Sequence, residues 1–246
     1  MRSMIELAKV ELKLFFREPV TLVFTFGLPL IFYPILGTIF GKVSDRHLFG
    51  GVGAMEYYTP AYISLVIASI GLVQLPALLA GYKELGVLRR FKASSLPFGS
   101  LLGAQLAVSL AITSIGALLL MLIGTQGYAV HLPVDKLLVV LGFIVSVICF
   151  VAIGFFLGAI IPTARAAQGA GLLLYIVMML LGGAGPPDEI LNHTLVNAGN
   201  LTPLKHVVEF IQAPWLGKGW NGTEFFIIVG ITFVVSVLSV RLFKWD

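Results

Sequence analysis

The side chains that could do chemistry are few in this sequence, and they form no catalytic pattern. The histidines are His47, His131, His193 and His206, and their spacing is not that of metal ligands. The one cysteine, Cys149, falls inside an apolar run, so no disulfide framework or cysteine metal site is available. Ser, His and acidic residues form no recognisable nucleophile arrangement. We therefore expect a chain without catalytic activity and without a bound metal.

The sequence also lacks a phosphate-binding loop of the form G-x-x-x-x-G-K-[ST]. The Gly-Lys pair at 41–42 is followed by Val43, and the pair at 217–218 is followed by Gly219. Neither pair has the required spacing or the hydroxyl that would bind the magnesium ion. The chain therefore cannot hold the phosphates of ATP by this device.

One basic segment, Gly81–Pro97, has a pattern that suits contact with a partner. Its spacing predicts a short helix with one set of residues for solvent or a partner and another for burial. The first set is Lys83, Glu84 and Arg90, and the second is Leu85, Leu88 and Phe91. The same residues also suit a basic loop that anchors two membrane segments to anionic headgroups. Periodicity alone leaves both interpretations open.

The composition indicates that the solvent around most of this chain is lipid. Of its 246 residues, 58% are hydrophobic and only 11% are charged, and the mean hydropathy is +1.00. An ordinary soluble domain has roughly 25% charged residues. The apolar residues also form unbroken runs instead of alternating with polar ones. A soluble fold is therefore excluded, and we predict an all-α membrane protein.

Six runs are long enough to cross the hydrocarbon core, which takes about 20 apolar residues in a helix. The predicted spans are Pro19–Phe40, Tyr57–Ala80, Leu96–Gly124, Lys136–Ile161, Ala166–Gly183 and Phe225–Phe243. Loop charge gives their orientation, because Lys and Arg stay on the cytoplasmic side. With both termini inside, eleven of the 16 basic residues are cytoplasmic: Arg2, Lys9, Lys13, Arg17, Lys83, Arg89, Arg90, Lys92, Arg165, Arg241 and Lys244.

Two further segments flank the spans. Residues 1–18 place basic residues on one helical stripe and apolar residues on another, which is typical of a helix lying in the membrane interface. Lys13, Arg17 and Glu18 are the candidate interfacial residues, although Glu11 and Glu18 interrupt the pattern. Residues 184–222 are rich in Gly and Pro and too broken to span, so we predict a half-inserted external hairpin there.

Charged residues avoid the centres of the predicted spans, which argues against an ion-driven carrier. The polar residues within spans are Thr21, Thr25, Gln74, Gln105, Ser109, Thr113, Ser114 and Ser146. Most should hydrogen-bond between helices. Thr25, Gln74 and Gln105 are the candidates for a transport path. The Gly99-x-x-x-Gly103 and Gly154-x-x-x-Gly158 pairs should allow close helix approach within the chain, and Pro29, Pro34, Pro60 and Pro76 are candidate kink sites.

Together these features resemble the membrane permease subunits of type 2 ABC exporters. The resemblance rests on Arg17-Glu18-Pro19 after the first helix, on Lys83-Glu84-Leu85-Gly86-Val87-Leu88 with Leu96-Pro97 in the first cytoplasmic loop, and on the Gly/Pro-rich break after the fifth span. It covers essentially the whole chain, 1–246, as a single membrane domain. It implies a prokaryotic plasma-membrane protein, bacterial or archaeal, in contact with lipid and not with nucleic acid.

The resemblance further implies that the loop at 81–97 is a coupling helix seated in a groove of a cytoplasmic ATPase. The residues carried over are Tyr82, Lys83, Glu84, Leu85, Gly86, Leu88, Arg89, Arg90 and Phe91. Two separate ATPase subunits would bind ATP and Mg, and two permeases, identical or related, would form the path. A small amphipathic drug or antibiotic is the first expected substrate. A lipid or cell-surface glycan is the alternative, and a membrane scaffold without transport is the competing hypothesis.

Overall fold

The computed structural model describes residues 2–40, 46–49, 51–88, 90 and 98–242. Within these ranges the chain is helical without strands. Its helices are α1 (Arg2–Phe15), α2 (Pro19–Leu22), α3 (Leu28–Phe40), α4 (Arg46–Phe49), α5 (Ala54–Ser69), α6 (Leu75–Glu84), α7 (Phe98–Tyr128), α8 (Lys136–Ile160), α9 (Ala164–Leu181), α10 (His193–Gly199), α11 (Pro203–Trp215) and α12 (Gly222–Leu242).

Six of these helical segments are long and apolar enough to cross a membrane. They are Val23–Phe40, Ala54–Glu84, Gly99–Tyr128, Lys136–Ile160, Ala164–Leu181 and Gly222–Leu242, and they are called the first to sixth spans below. The all-α fold and the six predicted spans are therefore confirmed. The predicted boundaries differ from the observed ones by a few residues, as fraying helix ends lead one to expect.

The second span is the centre of the bundle. In its most apolar stretch 83% of the residues are buried, whereas the corresponding value is 17% in the fifth span and 11% in the sixth. It packs against the first, third, fourth and fifth spans. A span that neighbours cover on every side can be apolar all round, which explains why this one shows no polar face.

Glycines let three backbones meet at the middle of the second span. A Cβ on Gly71 would lie 2.2 Å from the Phe150 carbonyl oxygen of the fourth span. A Cβ on Gly171 of the fifth span would lie 1.9 Å from the Leu72 carbonyl oxygen. The predicted pair in the fourth span behaves in the same way, because Gly154 and Gly158 pack on side chains of the second span. Its role in close packing within the chain is confirmed, whereas a Cβ on Gly99 of the other predicted pair would meet nothing within 4 Å among the described residues.

Each of the first two spans contains a widened π-helical turn just before a proline. The turns are Val23–Gly27 and Ile70–Gln74, in which the amides of Leu28 and Leu75 bond five residues back. The next residues are Pro29 and Pro76. Proline has no amide proton, so the carbonyl four residues before it loses its helical donor, and a π turn is one way to accommodate this.

The segment after the fifth span is more regular than expected. It contains a short 3₁₀ turn at Asp188–Ile190, followed by α10 and α11. The apolar face of α11 is buried against the second, fourth and sixth spans, with Leu204, Val207 and Ile211 fully covered. The Gly/Pro-rich stretch predicted to be irregular is therefore followed, after two short helical elements, by a packed helix.

Candidate functional site

Three consecutive residues at the end of the second span tie it to three other elements. The Tyr82 hydroxyl donates to Glu11 Oε1 of α1 at 2.5 Å. Lys83 Nζ donates to the carbonyl oxygens of Gly158 and Ala159 at 2.5 and 2.7 Å, at the end of the fourth span. Glu84 Oε2 accepts from the Ala164 amide at 3.0 Å, at the start of the fifth span. The end of the second span thus holds α1 and the fourth and fifth spans together.

The charges suit the helix ends that they meet. The last carbonyls of a helix lack internal donors and carry partial negative charge, which a lysine ammonium neutralises. The first amides of a helix lack acceptors and carry partial positive charge, which a carboxylate satisfies. Lys83 and Glu84 were expected to be available to solvent or a partner. The structure shows both bonded within the chain, although the Glu84 side chain also remains exposed.

The helix ends immediately after this cluster. Gly86 adopts a left-handed backbone conformation with φ +65°, which a glycine reaches without strain and which terminates helices. The Gly86 carbonyl then accepts from the Arg90 amide at 3.3 Å, one helical turn later. Leu85 is 74% exposed and Leu88 is 1% exposed. The expectations for Arg89 and Phe91 lie outside the described residues.

A buried carboxylate that sequence reasoning did not single out completes this region. Glu11 lies on α1 and is 3% exposed. Its carboxylate is next to Tyr82 of the second span and Gln105 of the third. Burial raises the pKa of the Glu11 carboxyl, against the lowering effect of the hydrogen bonds from Tyr82 and Gln105. In the sequence, Glu11 was only an interruption of an amphipathic pattern, and that interruption was the signal of a buried polar contact.

The residues predicted to lie in the membrane interface are more exposed than Glu11. Lys13 and Arg17 are exposed, and Glu18 Oε2 accepts from the Thr21 hydroxyl at 3.0 Å. Arg17 and Glu18 also border a cavity of about 400 Å³ between the end of α1 and the second and fifth spans. Its wall combines apolar surface from Leu14 and Leu78 with charge from Arg17 and Arg165.

Comparison with known protein families decides what kind of protein carries this arrangement. Residues 2–216 match the family described as ABC-2 type transporter. The chain belongs to this family. The match runs from α1 to the end of α11 and covers the cluster at the end of the second span. No curated protein matches the chain at a significant level. The resemblance inferred from the sequence is confirmed, and the protein is a membrane component of an ABC transporter.

The ABC-2 domain places the three candidate path residues on three different spans. Thr25 lies in the π turn of the first span and is 1% exposed, and Gln74 is the last residue of the π turn in the second. Gln105 is 2% exposed on the third span. Gln74 Oε1 is buried without a hydrogen-bond partner among the described residues, whereas the Gln105 amide lies beside the Glu11 carboxylate. An unsatisfied buried polar atom is costly, so Gln74 is a better candidate for ligand contact than Thr25.

Aromatic side chains close the opposite end of the second span in this ABC-2 domain. The hydroxyls of Tyr33 and Thr59 are 2.6 Å apart, and the Tyr58 hydroxyl donates to the Gly185 carbonyl at 3.1 Å. The rings of Tyr33, Tyr58 and Tyr62 pack at centroid distances between 5.6 and 6.3 Å. Sequence reasoning missed this cluster, because Tyr33 belongs to the first span and Tyr58 and Tyr62 to the second, and periodicity does not show which spans pack together.

Proposed function

We propose that this protein is the permease subunit of an ATP-driven exporter of small amphipathic compounds. Two such permeases, identical or related, pair in a prokaryotic plasma membrane with both termini in the cytoplasm. Two separate cytoplasmic ATPase subunits bind ATP and Mg and supply the energy. The observation that carries the proposal is the cluster of Tyr82, Lys83 and Glu84, because it joins the loop expected to meet the ATPase to three membrane elements.

The coupling step follows from that geometry. Directly after the cluster Leu85 and Arg90 are exposed, whereas Leu88 between them is buried, so this segment presents residues to a partner and still packs on the bundle. A displacement of this segment by a closing ATPase is transmitted at once to α1 and to the fourth and fifth spans. In this arrangement Lys83 and Glu84 transmit the movement inside the permease, while Leu85 and Arg90 contact the ATPase. Burial of an exposed leucine at the centre of such an interface stabilises it, and a charged rim residue orients it.

The nature of the cargo is inferred from the cavity beside Arg17 and Arg165. It lies at the end of the bundle that loop charge assigns to the cytoplasm, and its wall is part apolar and part charged. A compound with one apolar and one polar end fits such a wall and can enter from the inner leaflet. Only 22%, 17% and 11% of the most apolar stretches of the first, fifth and sixth spans are buried, which supports pairing with a second permease and contact with lipid.

The test compares one substitution at two exposed leucines. Leu85 is 74% exposed at the proposed ATPase contact, and Leu201 is 85% exposed at the other end of the bundle. We expect Leu85→Glu to lower substrate-stimulated ATP hydrolysis of the reconstituted complex roughly tenfold, the usual loss for a central interface residue. Leu201→Glu should leave it unchanged. Both variants should have the unfolding temperature of the wild type, because both leucine side chains are largely exposed.

The same preparation separates the alternatives. Stimulation by lipids or glycan precursors, without stimulation by small drugs, would replace the proposed cargo and leave the coupling intact. A permease that co-purifies with no ATPase under conditions that preserve other membrane complexes would favour the scaffold hypothesis. Equal stimulation in wild type and Leu85→Glu would contradict the proposed contact.

A further inference from the structure

A second cavity, of about 270 Å³, lies at the opposite end of the bundle. It is enclosed by Tyr57 at the start of the second span, by Gly182 and Gly183 after the fifth, and by α11. Val208 and Leu216 supply apolar wall, and Asp188 and Glu209 supply carboxylates. The cavity therefore has the mixed lining of a small-molecule site, and its volume suits only a small ligand.

The one buried cation of this cavity is already neutralised. Lys205 is 4% exposed, and its Nζ donates to Asp188 Oδ2 at 2.6 Å. The other oxygen of that carboxylate, Oδ1, is buried without a hydrogen-bond partner among the described residues. Lys218 also borders the cavity, but its side chain is exposed, so water and salt screen its charge.

Glu209 is the carboxylate left over. It lies one helical turn after Lys205 on α11 and borders the cavity, and within the described chain its carboxylate has no hydrogen bond. The neighbouring carboxylate Glu224 is occupied: its Oε2 lies 2.6 Å from His206 Nδ1, while His206 Nε2 lies 2.9 Å from the Asn200 carbonyl. Glu209 therefore faces the cavity without a partner of its own.

The surroundings of Glu209 make its negative charge costly in the empty cavity. Burial raises the pKa of the Glu209 carboxyl, and so do Glu224 on the sixth span and Asp188 on the preceding turn. Lys205 and His206, on the same helix, act in the opposite direction. A cation beside Glu209 would remove this cost, because an opposite charge at short range favours the ionised form.

We propose that this cavity is a binding site for an organic ammonium ion with a short apolar tail. The ammonium group donates to Glu209 and to the unpartnered Oδ1 of Asp188, and the tail lies against Val208 and Leu216. The site does not depend on the proposed export function, because it can be occupied without ATP. A proton and the ammonium ion compete for Glu209, so binding weakens as the pH falls through the raised pKa of that carboxyl.

The test measures equilibrium binding of 2-phenylethylammonium to the full permease with its ATPase in lipid nanodiscs, without nucleotide. We expect saturable binding that weakens at acidic pH, and none for 2-phenylethanol, which has the same shape without the charge. Glu209→Gln should weaken binding roughly tenfold or more, the scale of one charge-assisted hydrogen bond. The matched control is Glu189→Gln, because Glu189 is exposed in the same region and does not border the cavity.

Three outcomes would overturn the proposal. One is absence of saturable binding of 2-phenylethylammonium to the wild-type complex, and another is equal binding of the alcohol. The third is an equal loss of binding in Glu189→Gln and Glu209→Gln. It would mean that binding depends on the overall negative charge of this end of the bundle and not on Glu209 itself. The first two comparisons use only the wild-type protein, so they hold even if Glu209→Gln fails to assemble. None of them requires transport, so failure here leaves the export proposal standing.

Discussion

The two ends of the second span are held by different kinds of interaction. At the Glu84 end, side chains with charge or strong polarity reach helix ends and a buried carboxylate over 2.5 to 3.0 Å. At the Ala54 end, aromatic rings pack on one another and on glycines, and the polar links include the contact of the Tyr33 and Thr59 hydroxyls and that of Glu56 with the exposed His131. Directional bonds form or break as units, whereas packing is distributed over many contacts.

This difference fits the proposed role of the Glu84 end, which receives the movement of the ATPase. An end that receives a movement benefits from a few bonds that define which helices move together. Substitutions that disturb one charged contact at the Glu84 end and one packing contact at the Ala54 end test this comparison.

The largest effect is expected from Lys83→Met, which removes the ammonium and keeps the apolar stem. Two carbonyl oxygens at the end of the fourth span lose a charged donor, which costs about 2–3 kcal/mol. The unfolding temperature in mild detergent and the rate of substrate-stimulated ATP hydrolysis should both fall. The control is Lys136→Met, because Lys136 is an exposed lysine at the other end of the fourth span. Equal stability of the two variants would contradict a special role for Lys83.

A smaller effect is expected from Gly124→Ala at the aromatic end. The added Cβ would lie 2.6 Å from the Tyr33 hydroxyl oxygen, and Tyr33 is fully buried with its hydroxyl bonded to Thr59. Overpacking of this kind costs about 1–2 kcal/mol. The matched control is Gly127→Ala on the same helix, where the new Cβ meets nothing within 4 Å among the described residues. If unfolding temperatures of both variants equal that of the wild type, the aromatic layer is looser than its geometry indicates.

The sequence predicted the parts of this fold that the bilayer dictates. A helix must present about 20 apolar residues to cross, so six spans could be found by counting. The Gly154 and Gly158 spacing also carried its meaning locally, because residues four apart share a helix face. The fourth span shows this best, since its predicted bounds, Lys136–Ile161, differ from the observed ones by one residue.

The contacts of the candidate site could not be predicted in the same way. Tyr82 and Glu11 are separated by 71 positions, and Lys83 and Gly158 by 75. Periodicity assigns a side chain to a face of its own helix and contains no information about which other helix covers that face. Charged residues in a loop were therefore assigned to solvent or a partner. Two of them instead cap the helices to which the second span is packed.

The smallest effect, and the most specific one, concerns Glu11. Because burial raises the pKa of this carboxyl in the folded protein, folding favours its protonated form. Its contribution to stability is full below the unfolded-state pKa and is lost as the pH rises through the raised value. Glu11→Gln resembles the protonated form, so it should be as stable as the wild type in acid and slightly more stable at neutral pH.

The measurement is thermal unfolding of wild type and Glu11→Gln between acidic and neutral pH, with Glu6→Gln as the control on the exposed face of α1. The wild type should lose stability relative to Glu11→Gln as the pH rises, and Glu6→Gln should follow the wild type. A wild type that gains stability over the same range would mean that the ionised carboxylate, bonded by Tyr82, is the form that holds α1 to the second span. The Glu84 end would then depend on charge at all three of its contacts, and its contrast with the aromatic end would be sharper still.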